Sequence, residues 1–243
     1  MKTILFLPFL AVVLYASPAL PQPRPEPVTR IYEIKWRNAE EIAKLLRGFV
    51  GGFIDASESF NTVTVVGSEK EHEVISALLR KYDVPARTIE FQFYIIRATT
   101  SGEGIKDGLP EKIRKVINEV AALTRYKSFE LLDAPVLRTS EGKGAQLSGK
   151  GHYFYTLIFA AGGAAIVTAD QGKRQIRADH FGINFAIPVG MSEQKPIFKD
   201  VGVSTAFTIG DGETVVLGAS QIQQEAREPG AAIITVVTAK ILG

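Results

Sequence analysis

FNTVTVVGSEKEHEVISALLRKYDVPARTIEFQFYIIRA, residues 60–98, predicts a strand, a helix and a second strand with clear boundaries. A β-branched run ends at Gly67, as a short strand does. Ser68 and Glu71 have the spacing of a capping box, so we expect the helix to begin there. Pro85 cannot continue a helix, which places the end of the helix before it.

The predicted helix and the strand after it each have one apolar face. In the helix, apolar residues recur with the spacing of a single stripe: Val74, Ile75, Leu78 and Leu79. His72 falls on the polar side of this helix, where we expect it to be solvated. Residues 89–98 alternate between apolar and polar side chains, which is typical of a half-buried strand.

The residues before this stretch complete a small α/β unit. Residues 29–36 alternate as a strand, and Asn38 is the expected cap of a helix that stops at Gly48. A second strand is predicted at residues 52–56. With the opening stretch, these elements give the order β-α-β-β-α over residues 28–87, which is a two-layer unit.

The rest of the chain differs from this unit in its predicted secondary structure. Residues 88–243 contain one predicted helix, from Pro110 to about Tyr126, and otherwise read as strands and turns. The expected fold class is therefore α+β, with a mostly antiparallel β domain following the α/β unit.

The N-terminal segment predicts export from the cytoplasm. Lys2 precedes an apolar core, and Ser17-Pro18-Ala19 offers a cleavage site of small residues, so residues 1–19 have the pattern of a secretory signal peptide. The apolar core is shorter than the roughly 20 residues that a membrane-spanning helix needs. Residues 20–27 are rich in proline and form the expected stiff linker.

Composition narrows the classes of partner and chemistry. The formal net charge of +2 over 243 residues gives no reason to expect nucleic acid as a partner. The absence of cysteine excludes disulfides, thiolate metal sites and a cysteine nucleophile.

Two glycine-containing motifs partly resemble known ligand-binding motifs. GAQLSGKG, residues 144–151, resembles a phosphate-binding loop, but glycine stands where Ser or Thr should hold magnesium and no helix follows. Residues 48–51 have the GxxG form of KH domains, but the two middle residues are apolar and a helix end explains both glycines. The three histidines lack partners at diagnostic spacing. We therefore predict no catalytic residue, cofactor, metal site or small-molecule substrate.

The run YFYTLIFAAGGAAIVTA, residues 153–169, carries no charge and predicts a hairpin that turns at Gly162-Gly163. Two interpretations stay open: a hairpin buried in a β core, or one that faces lipid or a neighbouring subunit. On the second interpretation, the candidate contact residues are Tyr153, Tyr155, Leu157, Ile158 and Phe159.

Several motifs resemble the bacterial secretin family. They are Asn61 before a strand with Asp83-Val84-Pro85 after a helix, LDAPVLRT at residues 132–139, FGINFAIP at 181–188, and TAFTIGDGETVVLG at 205–218. The last is the most specific of the four. The resemblance implies one N-terminal ring-building domain followed by a secretin core, reduced because residues 219–232 replace the expected gate segment.

The resemblance also implies a function. It predicts an exported, non-enzymatic envelope protein of the periplasm or outer membrane, which self-associates or contacts other components of a type II secretion or type IV pilus system. The alternative is a monomeric periplasmic binding or accessory protein that retains the fold without forming a channel.

Overall fold

A computed structural model describes residues 26–102, 104–105, 108–150, 153–160, 163–169, 172–192, 195–222 and 230–242. The predicted signal peptide, most of the predicted linker, Gly151, His152, Gly162 and half of the segment in place of the gate, residues 223–229, lie outside the described residues. The chain divides into two compact units, residues 1–84 and 85–243.

The first unit has the predicted element order β-α-β-β-α. Its strands form one antiparallel sheet, in which the third strand in sequence lies between the first and the second. The elements are β1 (Val28–Glu33), α1 (Ala39–Leu46), β2 (Phe53–Ser57), β3 (Thr62–Gly67) and α2 (Glu69–Tyr82).

Both helices of this unit begin at the predicted caps. The side chain of Asn38 accepts hydrogen bonds from the N–H groups of Glu40 and Glu41. Ser68 and Glu71 form the reciprocal capping box, which confirms that prediction. The apolar faces of both helices pack on one face of the sheet, in a cluster that includes Ile42, Leu46, Val63, Val65 and Ile75. Val74, which was predicted in the stripe, is instead exposed because it lies beside that face.

The loop between β1 and α1 is fastened by two side chains from elsewhere in the unit. Asn61 accepts a hydrogen bond from Ala39 N–H at 2.9 Å, and its amide group donates to the carbonyls of Ile34 and Arg37. Asn61 holds a φ of +48°, in the left-handed region that asparagine tolerates better than most residues. The Asp83 carboxylate accepts from the N–H groups of residues 35–37. These two residues therefore fix the entry to α1.

The prediction that His72 is solvated was wrong, because the side chain is fully buried. Its Nδ1 lies 2.9 Å from the Tyr32 hydroxyl, and its Nε2 lies 2.9 Å from the Val28 carbonyl oxygen. The helical periodicity placed His72 correctly between polar neighbours. It could not show that the first residues of β1 would cover that side of α2.

The second unit contains one substantial helix and eleven strands in its described part. In chain order they are β4 (Thr88–Thr99), β5 (Gly104–Ile105), α3 (Glu111–Leu123), β6 (Ser128–Asp133), β7 (Val136–Ser140), β8 (Ala145–Lys150), β9 (Phe154–Phe159), β10 (Ala164–Thr168), β11 (Arg174–Ser192), β12 (Lys195–Gly210), β13 (Thr214–Ile222) and β14 (Ala231–Leu242). With the first unit, this confirms an α+β fold with mostly antiparallel strands.

The strands form two sheets. The central sheet has the order β13-β14-β4-β6-β5, with β7 also paired to β4. In the outer sheet, β12 pairs with β11, β11 pairs with both β9 and β10, and β8 pairs with β9. One large apolar cluster draws its side chains from strands of both sheets, including Phe91, Phe93, Phe159 and Phe181. The two sheets therefore pack face to face.

Helix α3 covers the other face of the central sheet. Ile113 and Ile117 pack with Ile96, Phe129 and Ile234 in a second apolar cluster. The helix ends at Leu123, three residues before the predicted end near Tyr126. Tyr126 is buried in the same cluster, and packing there takes the chain out of the helical path. None of the helices in the described residues is long and apolar enough to cross a membrane.

The predicted hairpin over residues 153–169 was wrong. β9 and β10 do not pair with one another; both pair with β11, β9 along residues 181–186 and β10 along residues 174–178. They run in the same direction along one side of β11. Gly163 has a φ of +53°, and a Cβ there would overlap the Lys143 backbone. The glycine thus allows a kink at which two backbone segments approach closely. The chain does not reverse its direction there.

We predict that Asn61→Ala destabilises the first unit more than Asn61→Gly. Both substitutions remove three side-chain hydrogen bonds worth about 1 kcal/mol each, whereas only alanine also pays roughly 1 kcal/mol for a positive φ. Urea unfolding followed by the fluorescence of Trp36, the single tryptophan, measures this difference. Equal midpoints for the two variants would contradict the conformational part of the argument.

We predict an acid-dependent contribution of Glu71 to stability. Hydrogen bonds from the Ser68 and Gly51 N–H groups and the Ser68 hydroxyl lower the pKa of Glu71 from its ordinary 4.5 to about 2. Because the folded pKa is the lower one, the stabilisation is complete above about pH 5 and is lost as the pH falls from 4.5 towards 2. The difference in unfolding midpoint between the wild type and Glu71→Gln should shrink over that interval.

Glu73→Gln is the matched control for this measurement. Glu73 is exposed on the same helix and lies outside the capping box. Its substitution should leave a pH profile parallel to that of the wild type. A Glu71→Gln profile that is also parallel would overturn the assignment.

Candidate interaction surfaces

The five predicted contact residues lie on and beside β9, and the structure separates them into two sets. Tyr153, Tyr155, Leu157 and Phe159 are buried on the face of the outer sheet that meets the central sheet. Ile158 alone points to the opposite, open face, where it is partly exposed. Inward and outward side chains alternate regularly along this strand.

The four inward residues hold the core together. The Phe159 ring lies 4.5 Å from the Phe91 ring and 5.1 Å from the Phe181 ring, measured between centroids. The Tyr155 hydroxyl donates to the Asp133 carboxylate at 2.8 Å. Burial, together with that carboxylate, raises the pKa of Tyr155, and burial raises the pKa of Tyr153. Within this set, then, only Ile158 has a side chain directed away from the core.

On the first unit, large apolar side chains lie exposed among polar ones on one face of the sheet. The helices of this unit cover one face of the sheet, and the other face, which we call the bare face, includes Ile31, Phe53, Thr64 and Val66. Phe53 lies opposite Val66, and Ile31 lies opposite Thr64 in the adjacent row. Ile31 is 69% exposed and Phe53 is 60% exposed. Large apolar side chains so placed are typical of an interface.

The sequence contains one indication of the bare face. The alternation in residues 29–36 separates Ile31 from Tyr32 and Ile34, so one of the two faces had to be the outer one. The sequence could not show that Phe53 lies one row away from Ile31, because that proximity comes from pairing through β3.

In its described residues the outer sheet presents three edge strands, β8, β10 and β12, as well as an open face. β8 pairs only with β9, and β12 pairs only with β11 within the sheet. Through the intervening pairs, β8 and β12 run antiparallel to one another. Edge strands carry unpaired backbone groups that can receive a strand from another chain.

The described residues contain no cluster of three or more His, Asp or Glu side chains that could hold a metal ion. In the motif that resembles a phosphate-binding loop, residues 145–150 form edge strand β8, with no helix N-terminus beside it. The GxxG segment follows α1, and its Gly51 N–H donates to Glu71 at 2.8 Å. The predicted absence of catalytic, cofactor and metal residues stays a prediction.

The first unit matches a known protein family in sequence. Residues 29–88 match the family Secretin_N, described as the bacterial type II/III secretion system short domain. No curated protein matches the chain in sequence.

Solved structures share the fold of the chain at low sequence identity. The type II secretin GspD from enteropathogenic Escherichia coli is 11% identical, with a TM-score of 0.54 over 88% of this chain and 87% of that chain. The Salmonella SPI-1 type III secretion injectisome secretin InvG is 14% identical, with a TM-score of 0.52 over 90% and 87%. The V. cholerae type IV competence pilus secretin PilQ is 11% identical, with a TM-score of 0.51 over 89% and 77%.

We predict that Leu157→Asp and Ile158→Asp have different effects, although the residues are adjacent. Leu157 is fully buried, so a charge there should prevent folding of the second unit. Ile158 lies on the open face, so its variant should fold and report only on contacts made by that face. Circular dichroism melting measures the first effect, and native mass measures the second. A cooperative melt of Leu157→Asp near that of the wild type would contradict the assignment of the inner face.

Proposed function

We propose that the chain is a secretin-like, exported, non-enzymatic envelope component that acts through contacts between its own copies. The premise is the match of residues 29–88 to the secretin short domain, together with the fold that the chain shares with solved secretins. We place it in the periplasm or at the outer membrane, on the strength of the signal-peptide pattern of residues 1–19. The systems that it serves would be protein secretion or pilus assembly.

The observation that carries self-association is the bare face of the first unit. A two-layer unit with helices on one side leaves its other sheet face in water, and here that face exposes Ile31 and Phe53. Burying two such side chains contributes about 1.5–3 kcal/mol each. This stabilisation is gained only when another surface covers the two side chains.

A second copy of the chain is the occupant that we propose for the bare face. A face that meets a different surface of the next copy makes a heterologous contact, and repeated heterologous contacts close into a ring when the rotation allows it. The antiparallel edges β8 and β12 would support the same kind of assembly, since each end of the outer sheet can receive the other end from a neighbour.

We predict that the double variant Ile31→Glu and Phe53→Glu assembles at least roughly 100-fold more weakly than the wild type, because it loses two buried apolar side chains and places charges in the contact. The measurement is native mass, by light scattering, of the signal-free protein recovered separately from soluble and membrane fractions. The wild type should exceed the mass of one chain, which is at most 26.4 kDa.

Phe60→Glu is the matched control. Phe60 is 79% exposed, but it lies in the turn between β2 and β3, outside the bare face. Its variant should assemble as the wild type does. A wild type that has the mass of one chain at micromolar concentration in both fractions would overturn self-association and favour the monomeric accessory protein.

A further inference from the structure

The open face of the outer sheet contains a small cavity, lined by polar and apolar groups, that the proposed assembly does not require. Its volume is about 220 Å³, and Ser148, Thr156, Asn184 and Asp200 line it with Phe154 and Ala186. It is smaller than the roughly 300–1,000 Å³ of sites for drug-sized ligands, which favours a ligand of one small unit.

Strand register brings these side chains together from four strands. Ser148, Thr156, Asn184 and Gly202 lie opposite one another in a single row across β8, β9, β11 and β12. The next row holds Lys150, Phe154, Ala186 and Asp200 in the same strand order. The cavity lies where the small side chain of Ala186 separates Phe154 from Asp200.

Gly202 shapes one side of the cavity. A Cβ at this position would overlap the Asn184 side-chain oxygen and the Ile183 carbonyl. The glycine therefore lets the Asn184 amide lie flat across β12. Asn184 and Asp200 make no side-chain hydrogen bond with the described residues, so their polar atoms are available to a ligand.

The groups that line the cavity suit a ligand with several hydroxyl groups. Asp200 accepts hydrogen bonds, the Asn184 amide both donates and accepts, and the hydroxyls of Ser148 and Thr156 do both while lying 3.3 Å apart. Phe154 supplies an apolar wall, and its outer side is occupied by the edge contact with Phe198 and by Lys150.

The charges argue against other ligand classes. The single charged group lining the cavity is the Asp200 carboxylate, which repels anions. One exposed carboxylate is too little to hold a metal cation, which needs several oxygen ligands. An apolar ligand would cover the polar side chains of Ser148, Thr156 and Asn184 without offering them hydrogen bonds, which is costly.

We propose that this cavity binds a neutral saccharide unit, with Asp200 and Asn184 as its hydrogen-bonding residues and Phe154 as its apolar wall. The site is formed by the second unit alone and takes one sugar ring. The binding is non-covalent and involves no reaction.

The test is saturation-transfer NMR on the full signal-free chain, with glucose and N-acetylglucosamine as probes at millimolar concentration. The wild type should transfer saturation to at least one of the two sugars. Asp200→Ala should weaken binding by about tenfold or more, as expected for the loss of a hydrogen bond to a charged group. Ala186→Leu should abolish binding by filling the cavity floor.

Ser204→Ala is the matched control, since Ser204 is exposed on the same open face but lies two rows from Asp200. It should bind as the wild type does. Circular dichroism melting checks that every variant is folded. No transfer with the wild type, or equal transfer with the Asp200→Ala, Ala186→Leu and Ser204→Ala variants, overturns the proposal.

Discussion

The second unit depends on the pairing of its first strand with its last. β4 and β14 pair without interruption from Thr88 and Leu242 to Ala98 and Ala232. Side chains from these two strands reach both apolar clusters, one between the sheets and one beneath α3. Both the packing between the sheets and the packing of α3 need these two distant segments side by side. A pairing so remote in sequence also makes this unit the part of the chain with the costlier loop closure.

In the first unit, by contrast, interactions between residues close in sequence determine most of the fold. Two caps start its helices, and Asn61 and Asp83 fasten the loop that leads into α1. The residues by which the chain resembles secretins in this region thus have a structural role of their own. They hold the layer of helices on one face of the sheet, and by doing so they leave the bare face open.

The surfaces of the two units differ in the chemistry that they offer. The bare face exposes the large apolar side chains of Ile31 and Phe53 among polar ones, which suits a protein partner. The open face of the outer sheet carries a row of hydroxyl and amide groups, which suits a polar ligand. The alternate residues of the uncharged run at residues 153–159 build the core behind that polar row. An apolar run is therefore a poor guide to a contact surface when its alternate residues face another sheet.

The sequence by itself determined the α+β class, both helix caps, the order of elements in the first unit and the resemblance to secretins, because caps and periodicity act between residues close along the chain. The tertiary structure alone decided the burial of His72, the partner of β9 and the position of Phe53 near Ile31. It also decided the cavity around Asn184. Each of these depends on which distant strands become neighbours, and alternation within one strand carries no information about that choice.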